Sequence, residues 1–333
     1  MILKLIRQKI TFFEYVSIYK IYNLILNIFS FVVSILLNKT LKMGLPISMS
    51  IEPTNTCNLK CPECPVGMDL MKRGKGQIDI ELYKKIINQT SNYLISLNLY
   101  FQGEPFLNKN IFEMIKYASS KKIYTIISTN AQLINQTCAN DIINSKLNEI
   151  IISIDGATPE IYEKYRKGAN FQKVLNAIKF IQEAKNKAMS VFPIIKIQFI
   201  VFKYNQHEIQ LIKQIATDLK VDKTIIKTAQ IYNYQSKPQL IPDNKKYSRY
   251  LIKNNKVMKK NKMYNFCWRF WSSNVVTIDG FLVPCCFDKD EKYILGNLKT
   301  QTIKEVIKGK KYKTFATKII QERKNIDICN NCN

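Results

Sequence analysis

The sequence predicts a parallel α/β fold. Between residues 47 and 229, six short runs rich in Ile, Val and Thr alternate with segments of helical periodicity, the pattern of a sheet whose strands are joined by helices. A length of 333 residues at 46% hydrophobic content allows one large α/β domain and a smaller appendage. The nine cysteines lie in clusters, which reads as metal ligation in a reducing compartment and not as a disulfide framework.

In chain order, residues 1–43 are apolar and basic, and 21–37 carry no charge. Lys20, Asn23, Asn27, Ser30, Ser34 and Asn38 fall three or four apart, so they form one stripe of an amphipathic helix. Such a helix packs on the domain or lies on a membrane surface. A single spanning helix ranks second, and a cleaved signal last, because no small-residue cleavage site follows. Lys4, Arg7, Lys9, Lys39 and Lys42 would suit anionic headgroups.

Strands are expected at 47–52, 94–101, 123–128, 149–155, 194–201 and 224–229. Helices are expected at 80–89, 111–121, 137–145, 159–165, 172–187 and 208–218. In parallel α/β folds the working residues gather at the carboxyl ends of the strands. There lie Gln102-Gly103-Glu104-Pro105, Ser128-Thr129-Asn130 and Ser153-Ile154-Asp155-Gly156, followed by Tyr165-Arg166. Ser128 and Asn130 are suited by type to a ribose or carboxylate, and Gly103 would let the backbone approach a ligand. Each stretch alone reads as a turn.

After the first strand comes Cys57-Asn58-Leu59-Lys60-Cys61-Pro62-Glu63-Cys64. Three thiolates fill three corners of a metal site. Structural zinc closes with four protein ligands, whereas a four-iron cluster held by three keeps one iron open. The single histidine, His207, sits at a helix start and reads as a surface residue. A His-rich metal site is excluded.

CNLKCPEC resembles the CxxxCxxC signature of the radical S-adenosylmethionine (radical SAM) superfamily. The resemblance implies a partial (β/α)6 TIM-like barrel, which six units suit, although a doubly wound sheet fits the periodicity equally well. It implies that Cys57, Cys61 and Cys64 bind a [4Fe–4S] cluster whose open iron chelates S-adenosylmethionine. Reductive cleavage there gives a radical that takes a hydrogen atom from substrate, with an external donor such as a flavodoxin or ferredoxin supplying the electron. QGEP is similar to the family's GGEP motif, which makes Glu104 the partner of the methionine ammonium group. Ser153 and Arg166 would hold the methionine carboxylate, with Asp155 a candidate for facing substrate. Glu63 stands where the family often has an aromatic residue.

Past residue 231 a basic stretch, read as a linker over 232–262, leads to a second module over 263–333. Asp279-Gly280 between two apolar runs signals a hairpin. Cys267-x17-Cys285 with the terminal Cys329-x2-Cys332 is similar to the twitch module, the shortened relative of the SPASM domain. The resemblance implies one auxiliary [4Fe–4S] cluster held by Cys267, Cys285, Cys329 and Cys332. Cys138 reads as a structural cysteine, and Cys286 as a substitute ligand or a bystander.

The expected activity is therefore radical SAM chemistry on an unidentified substrate, an oxidation such as dehydrogenation or crosslinking, with the auxiliary cluster as electron acceptor. The enzyme would be cytoplasmic, peripheral on the inner face of the membrane if residues 1–43 engage it. The formal charge of +26 comes from Lys spread along the whole chain, so a nucleic-acid partner is not favoured. The alternative from another class is a non-enzymatic zinc or cysteine-site protein that binds nucleic acid or membrane.

Overall fold

The computed structural model describes residues 12–254 and 256–332. Six strands, β1 (Ser48–Ile51), β2 (Ser96–Asn98), β3 (Tyr124–Thr129), β4 (Glu149–Ser153), β5 (Ile194–Val201) and β6 (Lys223–Thr228), pair in sequence order, each parallel to the next. That order separates the two architectures the periodicity left open. A doubly wound sheet reverses its strand order at a switch point, whereas consecutive right-handed crossovers put every helix on one side and curve the sheet into a partial barrel.

The crossover helices are α2 (Ile80–Thr90), α3 (Ile111–Ser120), α4 (Gln136–Asn144), α5 (Pro159–Tyr165), α6 (Phe171–Lys187) and α7 (Ile209–Asp218). Four start where a short polar side chain takes up a free backbone N–H: Asp79, Asn135, Thr158 and Asn170 cap α2, α4, α5 and α6. Their apolar faces, with Ile86, Ile115, Ile142 and Ile178 fully buried, cover the outer face of the sheet.

The C-terminal hairpin continues the same sheet. Helix α8 (Trp268–Ser272) leads into β9 (Ser273–Val276), which pairs parallel to β1, and β10 (Phe281–Val283) and β11 (Gly296–Asn297) follow antiparallel. The result is a nine-stranded sheet in the order β11-β10-β9-β1-β2-β3-β4-β5-β6. Pairing with β9 removes an exposed edge at β1. Helices α9 (Ile303–Lys308) and α10 (Lys310–Glu322) complete the module.

The segment expected to be a linker is folded. It holds three short 3-10 turns and a hairpin of β7 (Tyr250–Lys253) and β8 (Lys256–Lys259). Ile231, Ile241, Tyr250 and Val257 pack with Tyr165 and Phe202 of the barrel into a second apolar cluster. Short apolar runs on either side of Asn254, whose φ of 46° is the left-handed turn conformation, were the missed hairpin signal.

Helix α1 (Ile18–Leu36) crosses the underside of the barrel. Its polar stripe faces inward. Asn23 and Asn27 donate to the carbonyl of Leu45 (2.9 and 2.7 Å), and Lys20 Nζ donates to the carbonyl of Lys122 (2.5 Å). The Trp271 indole donates to Ser30 Oγ (3.3 Å), while Lys42 Nζ donates to the carbonyl of Trp271 (2.8 Å) and to Asn27. Lys4, Arg7 and Lys9 lie outside the described residues; Asn38 lies beyond the helix end and is exposed.

Candidate active site

The cysteine loop emerges from the carboxyl end of β1 and is held from several sides. Backbone bonds link Lys60 N to the carbonyl of Lys167 (2.9 Å) and Glu104 N to the carbonyl of Thr56 (2.8 Å). Gly103, at φ 72°, lies so close to this loop that a Cβ would meet the carbonyls of Thr54 and Thr56 at 2.6 and 2.5 Å. No side chain fits there, and the left-handed backbone favours glycine independently.

Cys57, Cys61 and Cys64 line one wall of a cavity of about 390 Å³ at the carboxyl ends of the strands. Gly103, Glu104, Ser128, Asn130, Ser153 and Arg166 line it too, so the strand-end residues singled out in the sequence reach one space, with Asp155 the exception. Burial pushes the Cys61 thiol up to about 11 and raises Cys57. Thiolate ligation therefore requires a cation strong enough to displace these protons. Among the described residues no three Cys, His, Asp or Glu side chains converge on one point as ligands of a single ion do. Structural zinc closes with four protein ligands, whereas a four-iron cluster held by three keeps one iron open, so a three-thiolate donor set suits a cluster better than one zinc ion.

Glu104 is almost wholly buried and accepts hydrogen bonds from Thr129 Oγ1 (2.6 Å), Asn130 N (2.8 Å) and Phe106 N (3.3 Å). Burial raises its pKa against the pull of these donors. Among the described residues no Lys or Arg forms an ion pair with it. A carboxylate offers about four acceptor positions, and a buried one on a cavity wall with no ion pair of its own suits a ligand ammonium group.

Several roles differ from expectation. Asp155 does not face the cavity: it is fully buried, accepts from Arg166 Nε (2.8 Å) and a terminal nitrogen (2.5 Å), and accepts at its other oxygen from Ile200 N (2.7 Å). Asn130 does not present its amide to a ribose. It donates to Asn58 Oδ1 (2.9 Å) and to Cys57 Sγ (3.8 Å), bracing the cysteine loop. Glu63 pairs with Lys237 Nζ (2.5 Å) and accepts from Tyr232 N (3.1 Å), fastening the 232–262 segment over the loop. Buried Glu52 at the end of β1 pairs with both terminal nitrogens of Arg73, whose Nε donates to the carbonyl of Lys289 (2.8 Å). Neither Glu52 nor Arg73 carries a sequence signal. His207 is exposed, and Cys138 is half-buried against the core.

The second cysteine group forms below the C-terminal hairpin. Burial, then the neighbouring Cys286, Cys267 and Cys329, raises the Cys285 thiol, and Cys329 in turn senses Cys267 and Cys332. Arg323 lies among them, donating to the carbonyls of Tyr264 (3.3 Å) and Phe266 (2.6 Å) and to Cys332 Sγ (3.4 Å). Its charge would offset clustered thiolates. Cys286 diverges: it accepts from Arg269 (3.0 Å) and lines the first cavity beside Lys289. Lys289, its pKa lowered by burial, donates to the Tyr232 hydroxyl.

Two family models match the chain: the radical SAM superfamily over residues 51–214 and an iron–sulfur cluster-binding domain, SPASM, over 267–333. The chain belongs to the radical SAM superfamily and carries a SPASM-type C-terminal module. The family's cofactors come with it: S-adenosylmethionine, its [4Fe–4S] cluster and an auxiliary iron–sulfur centre. The non-enzymatic zinc reading is thereby set aside.

Among curated proteins the chain is 25% identical over 196 residues to the PqqA peptide cyclase of Bradyrhizobium diazoefficiens, covering 58% of this chain and 49% of that protein. It is 28% identical over 160 residues to mycofactocin maturase MftC of Mycobacterium ulcerans, covering 48% and 41%. The chain spans about half the length of these relatives, or less. In fold it resembles BtrN in complex with AdoMet and 2-DOIA, at a TM-score of 0.55, 20% identity and coverage of 87% of this chain and 94% of that one. Streptococcus suis SuiB bound to S-adenosylmethionine has a TM-score of 0.61 at 16% identity, covering 82% and 68%.

Proposed function

We propose that this enzyme abstracts a hydrogen atom from a peptide substrate and completes a two-electron oxidation of it, a dehydrogenation or a crosslink. The observation that carries the reading is the divergence of Cys285 and Cys286. One residue belongs to the auxiliary cysteine group and the next lines the cavity, so a substrate there lies within a residue's reach of an electron acceptor.

In this reading Cys57, Cys61 and Cys64 hold the first cluster, and Cys267, Cys285, Cys329 and Cys332 hold the auxiliary one. Bound together, the first cluster and S-adenosylmethionine supply a carbon radical able to take a hydrogen atom, after one electron from a flavodoxin- or ferredoxin-type donor. Glu104 receives the methionine ammonium group. Arg166, its planar guanidinium held by Asp155, receives the carboxylate beside Ser153, while Ser128 faces the rest of the ligand. Gly103 keeps the loop close, and Asn130 braces it. Lys289, buried at the cavity wall, takes the proton that an oxidised substrate releases. The peptide assignment is supported by the relatives, a peptide cyclase and a maturase.

The test is 5′-deoxyadenosine formation by reconstituted, reduced protein given size-fractionated extracts. Stimulation by a peptide fraction, lost after protease digestion, with a product two mass units lighter, is the expected result. Stimulation that survives digestion would overturn the peptide assignment. A product of unchanged oxidation level would overturn the oxidation.

A further inference from the structure

We infer that helix α1 and its flanks form an interfacial docking face for an anionic lipid bilayer, on the side of the barrel opposite the active-site mouth. A surface helix ordinarily turns its apolar stripe inward. Here the orientation is inverted: Lys20, Asn23, Asn27, Ser30 and Ser34 are buried, while Ile18, Tyr22, Ile25, Phe29, Val32 and Leu36 are exposed, from 46% at Val32 to 77% at Leu36. Those six positions recur at alternating intervals of four and three, so they make one continuous apolar strip along the helix. Single exposed apolar residues are ordinary; a strip of this length marks a contact surface.

The helix is long and apolar enough to cross a membrane. Its inward stripe argues against crossing, because the bonds from Asn23 and Asn27 to Leu45 and from Lys20 to Lys122 would have to break. A helix fixed to its domain by one face and apolar on the other lies in the interface plane.

The charges around the strip select lipid over a second copy of the chain. At its N-terminal end Lys116, Lys122 and Lys146 surround a groove in which Glu14 is the one acidic lining residue. At its C-terminal end Lys310, Lys313 and Lys318 surround Thr317, whose hydroxyl bonds that of Thr40 (2.9 Å). Twofold pairing through the strip would set cationic ends against cationic ends, whereas anionic headgroups complement both. Tyr264, Phe266 and Trp268, exposed beside the strip and in ring contact with one another or with Phe31, are residue types that settle at headgroup depth.

The docking face also sets the direction of substrate entry. Every anchor of α1, at Leu45, Lys122 and Trp271, lies just before a strand, at the N-terminal ends of β1, β3 and β9. The cavity lies at the carboxyl ends. A docked enzyme opens toward the aqueous side, so docking localises the enzyme and does not draw a lipid substrate from the bilayer.

Co-sedimentation of the full chain with phosphatidylcholine vesicles, with and without phosphatidylglycerol, tests the inference. Binding to the anionic vesicles is expected, at least tenfold weaker on neutral vesicles or in high salt. Ile25→Glu/Phe29→Glu should abolish it, and Lys116→Glu/Lys146→Glu should weaken it at least tenfold, both without loss of iron content. If the first variant misfolds, quenching of Trp268 fluorescence by brominated lipid in the unaltered protein gives the same answer. No sedimentation and no quenching would overturn the inference. So would protein that resists alkaline extraction as a spanning helix does, or dimers that Ile25→Glu dissociates in the absence of vesicle binding.

Discussion

Asp155 holds Arg166 side-on, one carboxylate oxygen accepting from both Nε (2.8 Å) and a terminal nitrogen (2.5 Å). The other terminal nitrogen is left for the cavity that Arg166 lines. A buried carboxylate that looks catalytic thus orients a cation for an anionic ligand. Asp155→Ala should cost about 3–5 kcal/mol of stability, because it leaves a buried charge unpaired. Arg166→Lys should keep the charge and lose the planar pairing, weakening S-adenosylmethionine binding with little change in melting temperature. Equal binding by Arg166→Lys would remove Arg166 from the site.

Glu104 makes the complementary contact. In Glu104→Gln the amide can still accept one bond, but its NH2 faces a Thr129 or Asn130 donor. Binding of S-adenosylmethionine, read by equilibrium dialysis, should fall by about 10- to 100-fold, the range of one hydrogen bond to a charged group. Unchanged affinity would mean that the ammonium group binds elsewhere.

The Glu63–Lys237 pair joins residues far apart in sequence and holds the 232–262 segment over the cysteine loop. Glu63→Ala should raise the rate of tryptic cleavage within that Lys-rich segment roughly fivefold, as expected for loss of about 1 kcal/mol. An unchanged cleavage rate would show that the apolar cluster around Tyr250 suffices.

Lys42 and Lys20 couple the docking of α1 to pH. Burial lowers Lys42 to about 7 and Lys20 to about 8. The unfolded chain, with lysines near 10.4, binds more protons between about pH 7 and 10, so this contribution to stability rises with pH across that window. Buried thiols act oppositely, since Cys61 is raised to about 11 and Cys138 to about 12. The readable quantity is therefore a difference. The urea midpoint of the unaltered protein minus that of Lys42→Met should grow from pH 7 to 9, and a flat difference would contradict the assignment.

The barrel was legible because its signals are local. Strand runs, helical periodicity and the spacing of Cys57, Cys61 and Cys64 all lie within a few residues, and element ends fell within a few residues of expectation. Partnerships across the chain were not. Nothing near Arg73 points to Glu52, and nothing near Glu63 points to Lys237. The stripe on α1 is a subtler case: periodicity defines two faces but carries no sign, so it identified an amphipathic helix without saying which face turns inward. That choice was made by the carbonyls of Leu45 and Lys122, which come to face the helix only in the folded barrel.

Cys285 and Cys286 offer the sharpest separation of the two sites. Cys285 opens a turn closed by Asp288 N on its carbonyl (3.1 Å), and the two side chains diverge there: Cys285 neighbours Cys267 and Cys329, while Cys286 lines the cavity with Lys289. After anaerobic reconstitution, about eight irons per chain are expected for two four-iron clusters. Cys285→Ala should hold about four, and Cys57→Ala/Cys61→Ala/Cys64→Ala about four of the other kind, without S-adenosylmethionine cleavage. Cys286→Ala should keep all eight and still form 5′-deoxyadenosine, with a changed yield of substrate product. Loss of four irons in Cys286→Ala, with none lost in Cys285→Ala, would exchange the two roles and move the auxiliary centre to the cavity wall.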